Sequence, residues 1–197
     1  DGDATRVIRM PPGENDLGRL CDVDRIAEDV LAGRMGLAEG HAALRALDRP
    51  LTRRQNVMQV LGFGLAATGI GGLLRLPWLD IGTAAMVGLV IGLLQVAART
   101  RPRLREASDA VSAMVAAAIT IRVAAWVAPL NLNTVIISAL IVLMPGLALT
   151  NAVNELTSQH LMSGTARFAG AVATMIMLTV GTMVAMVGMG MLGIEPQ

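Results

Sequence analysis

The chain has 197 residues, of which 54% are hydrophobic and 16% are charged, and its net charge is +1. Soluble globular domains carry about 45–50% apolar and about 25% charged residues, so this composition argues against a soluble protein. A net charge of +1 is also far below that of a typical nucleic-acid-binding protein, which has an excess of basic residues, so no nucleic-acid partner is expected.

Residues 1–52 are interpreted as a cytoplasmic segment that contains two short helices. A β-like alternation at residues 5–10 ends at two prolines. From Asp22, apolar residues recur at helical spacing until Gly33 ends the pattern, and a second helix is predicted over residues 37–47. Because the chain opens without a methionine, we expect this segment to be the end of a larger N-terminal domain.

Five apolar stretches follow, and four of them contain windows without any acidic or basic residue. A bilayer core of about 30 Å is crossed by about 20 apolar residues in a helix. We therefore predict an all-α integral membrane protein in which residues 53–197 form a five-helix domain in the lipid bilayer. The predicted spans cover approximately residues 55–75, 79–98, 107–128, 132–156 and 166–193.

Basic residues determine the predicted orientation of these spans. Four arginines lie within residues 99–105, between the second and third spans. Short basic loops stay on the cytoplasmic side. The N-terminus is therefore predicted to be cytoplasmic, and the C-terminus after the fifth span is predicted to lie outside.

Glycines are frequent in the first two spans, and methionines are frequent in the fifth. Small residues allow membrane helices to approach closely, and methionine adapts to irregular packing. Both patterns favour helix packing over a nucleotide- or metal-binding role.

The fourth span contains a break at Pro145 and Gly146, which predicts a helix in two halves. Proline removes a backbone donor and crowds the preceding turn, and glycine adds backbone freedom. The first amides of the second half then form the positive end of a helix dipole, which suits an anionic carboxylate. The predicted substrate-binding residues are Pro145, Gly146, Thr150, Asn151 and Asn154.

Glu155 follows this polar ladder, four residues after Asn151, and is expected to carry or gate protons if burial raises its pKa. An alternative interpretation remains open at this point. The break is then a simple kink, and the polar residues form the hydrated cytoplasmic end of the helix.

Three further charged residues in or near the spans are candidates for proton coupling or gating: Arg122, Asp80 and Asp109. An arginine inside the membrane costs about 2.5 kcal/mol or more, which favours a functional role, although its side chain can also extend to the interface. Asp80 is a candidate partner for Arg122 at similar depth. Asp109 is interpreted first as a stabiliser of the N-terminus of the third span.

Enzyme chemistry finds little support in the sequence. His41 and His160 lie in different regions, and no spacing indicates a nucleophile–base pair or a metal site. Cys21 is the single cysteine, so it has no intrachain disulfide partner. The chain is predicted not to be an enzyme, with no cofactor and no metal.

Three stretches of this chain resemble the threonine/serine exporter family, which includes split two-subunit relatives linked to dicarboxylate export. The first is residues 5–10 with the helical pair that follows, and the second is Gly71-Gly72 followed by Trp78-Leu79-Asp80. The most specific is Met144-Pro145-Gly146 with Asn151 and then the loop Ser163-Gly164-Thr165-Ala166-Arg167. Ser163, Gly164 and Arg167 belong to this family-motif loop.

The resemblance implies a proton-driven exporter of small amino acids in the bacterial inner membrane, built from two five-helix halves. This chain then supplies the first half and needs a second five-helix half, or a second copy, as its partner. It also resembles the larger subunit of the split relatives, which makes dicarboxylate export an alternative. A non-transporting membrane assembly protein is the other alternative.

Overall fold

The computed structural model describes residues 17–47, 52–99, 101–127 and 129–194, and within them every regular element is a helix. The β-like run predicted at residues 5–10 lies outside these residues. The chain divides into two compact units, residues 1–51 and residues 52–197.

The first unit contains α1 (Leu17–Leu31) and α2 (Leu37–Leu47). The connection between them includes Gly33, whose φ of +70° is readily adopted by glycine. Gly40 of α2 lies close to Val30 of α1, so that a β-carbon on Gly40 would be 2.5 Å from a methyl carbon of Val30. The two helices therefore pack against each other through their apolar faces.

The second unit is built from six α-helices and one 3-10 turn, counted over the part of the chain that the structure describes. The helices are α3 (Arg53–Leu73), α4 (Trp78–Arg99), α5 (Pro102–Trp126), α6 (Leu132–Leu140), α7 (Gly146–Thr157) and α8 (Leu161–Met191), and the 3-10 turn covers Ile141–Leu143.

Four helical segments of this unit are long and apolar enough to cross a membrane: α3, α4, the Ala107–Trp126 part of α5, and α8. The segment from α6 to α7 also meets the criterion as a bent pair, which gives up to five spans. The prediction of an all-α membrane protein with a broken fourth helix is therefore confirmed, with four or five spans.

Small residues hold the bundle together. The main core joins side chains of α4, α5, α6 and α8, with Val87, Ala113 and Ala139 fully buried. Gly88 of α4 sits on α3, where a β-carbon would lie 2.8 Å from both the Ala67 β-carbon and the Phe63 carbonyl oxygen. Gly88 thus allows α3 and α4 to approach closely, which is the packing role that the glycine-rich sequence of the first two spans predicts.

Candidate functional site

The chain turns sharply between α6 and α7. The 3-10 turn is followed by Met144 in an extended conformation (φ −67°, ψ 128°), as expected for a residue before proline. Pro145 then precedes the first residue of α7. The axes of the two helical segments differ by 57°. The break is therefore a change of direction and not a mild kink.

The N-terminus of α7 has no side-chain cap. The amide of its first residue, Gly146, donates to the carbonyl oxygen of Met144 at 2.8 Å, and the Leu149 amide begins the regular ladder by donating to Pro145 at 2.9 Å. The Gly146 amide, which was expected to be free for a ligand, therefore already has a hydrogen-bond acceptor within the chain. A ligand at this end would meet the amides of the remaining first-turn residues.

The polar ladder of α7 divides between two sides of the helix. Asn151 and Glu155 are partly buried on the side that packs on α8, where Ala152 is fully buried. Thr150 and Asn154 are exposed, and the Thr150 hydroxyl donates to the Gly146 carbonyl oxygen at 3.0 Å. The structure therefore presents one open polar stripe and one covered stripe.

Helix α8 returns alongside α7 after a short turn. The motif residues Ser163 to Arg167, expected to form a loop, lie instead in the first two turns of α8, because the helix begins already at Leu161. This part of α8 packs next to the polar ladder. Arg167 donates through Nε to Oε1 of Glu155 at 3.0 Å, and its Nη2 lies 3.0 Å from the same oxygen. Ser163 and His160 also lie beside the Glu155 carboxylate. The structure thus brings together Glu155, Ser163 and Arg167.

Gly164 sets the distance between these two helices. A β-carbon on it would lie 2.8 Å from Cγ and 3.0 Å from the backbone nitrogen of Leu156. A larger residue at this position would push α7 away from α8. The turn itself requires a left-handed residue, Gln159, with φ of +63°.

Asp80 is buried, with 2% of its surface exposed. Its Oδ2 accepts a hydrogen bond from the backbone amide of Asn131 at 3.1 Å, at the start of α6. The carboxylate thus joins the first turn of α4 to the beginning of α6.

Arg122 is exposed, and its guanidinium lies over the ring of Trp126, 5.6 Å from the ring centroid. This separation is within the range of a cation–π contact. The expected pairing of Arg122 with Asp80 is not formed, since Arg122 lies over Trp126 and Asp80 accepts from the Asn131 amide.

Asp109 lies well inside α5, because this helix begins at Pro102. The helix dipole acts on charges in the first turn, so the interpretation of Asp109 as an N-terminal stabiliser is wrong. Its Oδ1 accepts instead from Nε2 of Gln95 at 3.3 Å, and the same nitrogen lies 3.4 Å from the Ser112 hydroxyl.

Sequence reasoning missed Gln95 and Ser112, which join α4 to α5 through this polar contact. It also missed Gln59 of α3, whose side-chain oxygen accepts from Arg99 at 2.7 Å. The sequence does contain a signal for these contacts, because Gln59 and Gln95 are polar residues within long apolar stretches. Within the described residues, no group of three or more histidine, cysteine or acidic side chains is placed to hold a metal ion.

Comparison with known proteins gives one result. A family model described as "Putative threonine/serine exporter" matches residues 1–188 of this chain. No curated protein and no solved structure gives a significant match. The matched region includes the α6–α7 break and the α7–α8 hairpin.

Proposed function

Because the chain belongs to the threonine/serine exporter family, whose model matches residues 1–188, we propose that it forms one half of a secondary transporter that exports threonine, serine or a similar small amino acid. The resemblance drawn from the sequence is thereby confirmed at the level of the family. The observation that carries the proposal is the polar face of α7 immediately after the 57° break.

The substrate-binding residues in this proposal lie along the first three turns of α7. Thr150 and Asn154 are exposed, and Asn151 is partly buried beside them. Hydroxyl and amide groups suit the polar parts of threonine and serine. The first-turn amides after Pro145 add a positive helix end that favours a carboxylate.

Transport requires a second wall opposite α7. The neighbouring N-terminal half of α8 exposes large apolar side chains, with Leu161 60% and Met162 89% exposed, and Phe168 44% exposed. On a membrane helix, apolar surface of this kind contacts either lipid or another membrane helix. We propose that a second five-helix half or a second copy covers this surface and completes the site.

The proposal further includes coupling of export to the movement of protons. Asp109 lies in a span of α5 and faces the neutral side chain of Gln95, which supports a role in accepting and releasing a proton. Glu155 and Arg167 connect α7 to α8, which supports a role for this pair in gating. The contacts of Asp80 and Arg122 favour anchoring of helix ends instead.

In a cell, this unit would lie in the bacterial inner membrane as a multi-pass protein with a cytoplasmic N-terminus. The basic residues near 99–105 support this orientation. It puts α7 toward the cytoplasm, the side from which an exporter takes up its substrate.

Export from cells tests this proposal. Cells that express the full-length protein are loaded with threonine, and its appearance in the medium is followed. The Asn151→Ala variant should abolish the protein-dependent efflux, whereas Asn131→Ala, at an exposed position outside α7, serves as the matched control. Normal efflux from Asn151→Ala would contradict the site assignment.

The same assay separates the two alternatives. Efflux of a dicarboxylate but not of threonine would favour the split-type relatives. No efflux of either solute, together with no thermal stabilisation of the purified protein by them, would favour a non-transporting assembly protein, since a bound ligand stabilises the folded state by RT ln(1 + [L]/Kd).

A further inference from the structure

Arg122 and Trp126 form an exposed pair at the end of α5. Arg122 is an exposed cation in the last two turns of this helix, which are otherwise uncharged. Residues four apart lie on the same helix face, and helical side chains lean toward the N-terminus, so the Trp126 ring leans back toward Arg122. The guanidinium lies over this ring, 5.6 Å from its centroid. The cation and the ring therefore act as one unit on the surface of α5.

The stacked guanidinium of Arg122 keeps its hydrogen-bond donors. It carries five N–H donors in its plane, and a ring over its face leaves the edges free. Within the described residues, Arg122 makes no hydrogen bond and no ion pair. Asp80, the expected partner, is 2% exposed and accepts from the Asn131 amide. The edges of the guanidinium are thus available to an acceptor that the described residues do not supply.

The depth of this pair in the membrane follows from the packing of α5 on α4. These neighbouring helices run in opposite directions, since only residues 100 and 101 join them, and Gln95 contacts Asp109. Trp78 precedes Gln95 by 17 residues, and Trp126 follows Asp109 by 17 residues. At a rise of about 1.5 Å per residue, both tryptophans lie about 25 Å from that contact, at the same level of the bundle.

Trp78 and Trp126 are the two tryptophans of the sequence, and they are 89% and 73% exposed. Tryptophan is enriched where the hydrocarbon core of a membrane meets the lipid headgroups. Their common level therefore marks the membrane interface, and Arg122 lies beside it. The surface proposed for the second five-helix half lies on α7 and on the N-terminal half of α8, whereas Arg122 lies on α5. The acceptor to be expected beside Arg122 is therefore a lipid headgroup.

We propose that the free edge of Arg122, with its face on Trp126, binds the phosphate group of an anionic phospholipid. A guanidinium edge binds phosphate through two parallel hydrogen bonds, which explains why an arginine suits this position. The tryptophan ring contributes apolar contact with the lipid, as aromatic side chains do at the interface. The bound lipid would hold the end of α5 at the membrane surface. This site does not depend on which solute the protein exports.

Lipid-dependent thermal unfolding tests this assignment. The full-length protein in detergent is titrated with phosphatidylglycerol, which is anionic, and separately with phosphatidylcholine, whose choline group cancels the phosphate charge. A ligand that binds the folded state raises the melting temperature, and the concentration dependence gives its affinity. The wild-type protein should bind phosphatidylglycerol about tenfold more tightly than phosphatidylcholine.

Two variants separate the charge from the ring. Arg122→Gln should weaken phosphatidylglycerol binding by about tenfold or more, because hydrogen bonds to a charged group are lost. Trp126→Ala keeps the charge and should weaken binding by about threefold. Arg75→Gln is the matched control, because Arg75 is an exposed arginine in the turn before Trp78, at the same end of the bundle. It should change the affinity by less than about twofold. If Arg122→Gln does not fold, Arg122→Lys lacks the planar fork and should still bind more weakly than the wild type.

An equal loss of affinity in Arg75→Gln and Arg122→Gln would overturn the inference, because lipid would then respond to surface charge in general. Unchanged phosphatidylglycerol affinity in a folded Arg122→Gln protein would also overturn it. If that variant instead loses its oligomeric state, Arg122 pairs with another membrane subunit and not with lipid. Stabilisation by inorganic phosphate that matches that of the lipid and depends equally on Arg122 would show a site for a free anion and contradict the lipid assignment.

Discussion

Gly181 of α8 lies directly against the backbone of Ala110 in α5, so closely that a β-carbon on the glycine would overlap the Ala110 carbonyl oxygen. Backbone atoms cannot move aside as the end of a flexible side chain can. This contact therefore fixes the distance between α5 and α8, two of the helices that build the core.

Replacement of Gly181 by alanine should therefore destabilise the protein despite the higher helix propensity of alanine. Overpacking at such a contact costs about 1–3 kcal/mol. Thermal unfolding in detergent measures the effect. The matched control is Gly188→Ala on the same helix, where a β-carbon would meet nothing within 4 Å. Equal melting temperatures for the two variants would show that α5 and α8 are not packed in this way.

A second prediction concerns the hydrogen bond that the Asn131 amide donates to Asp80. Asp80→Ala removes a charged acceptor and should lower the free energy of unfolding by about 1.5–3 kcal/mol. Asp80→Asn keeps an acceptor oxygen and should cost less. The measurement is thermal unfolding together with export activity. Loss of export in an Asp80→Asn protein of wild-type stability would instead indicate that the Asp80 charge takes part in transport.

The break at Pro145 should be necessary for transport but not for folding. In Pro145→Ala the restored amide and the absence of the proline ring permit the helix to continue across residues 141–146, which would reduce the bend of 57°. We expect a folded protein with little or no threonine export. Pro129→Ala, in the connection between α5 and α6, is the control and should export normally. Export at the wild-type rate by Pro145→Ala would show that transport does not depend on the break.

Much of this fold follows from the distribution of apolar residues. Long uncharged stretches identify the helices, and Pro145 with Gly146 marks the break, because these effects depend on local chemistry alone. The expected position of Asp109 at a helix N-terminus is wrong for a local reason. The arginines before it indicate a loop, but proline is tolerated at the first position of a helix, and α5 starts at Pro102.

Contacts between helices were harder to predict. Depth in the membrane made Asp80 and Arg122 reasonable partners, but depth does not specify the direction in which a side chain leaves its helix. The Glu155–Arg167 pair was within reach of sequence reasoning. Glu155 lies in the last turn of α7 and Arg167 in the second turn of α8, and a short turn between two helices brings such neighbouring segments side by side.

The most direct test of the account measures threonine movement through the purified full-length protein in proteoliposomes. Vesicles preloaded with labelled threonine or serine should lose it faster than empty liposomes when a proton gradient is imposed, and Asn151→Ala should reduce this loss to the background rate while Asn131→Ala does not. Threonine release that is equal with and without the wild-type protein would contradict the account.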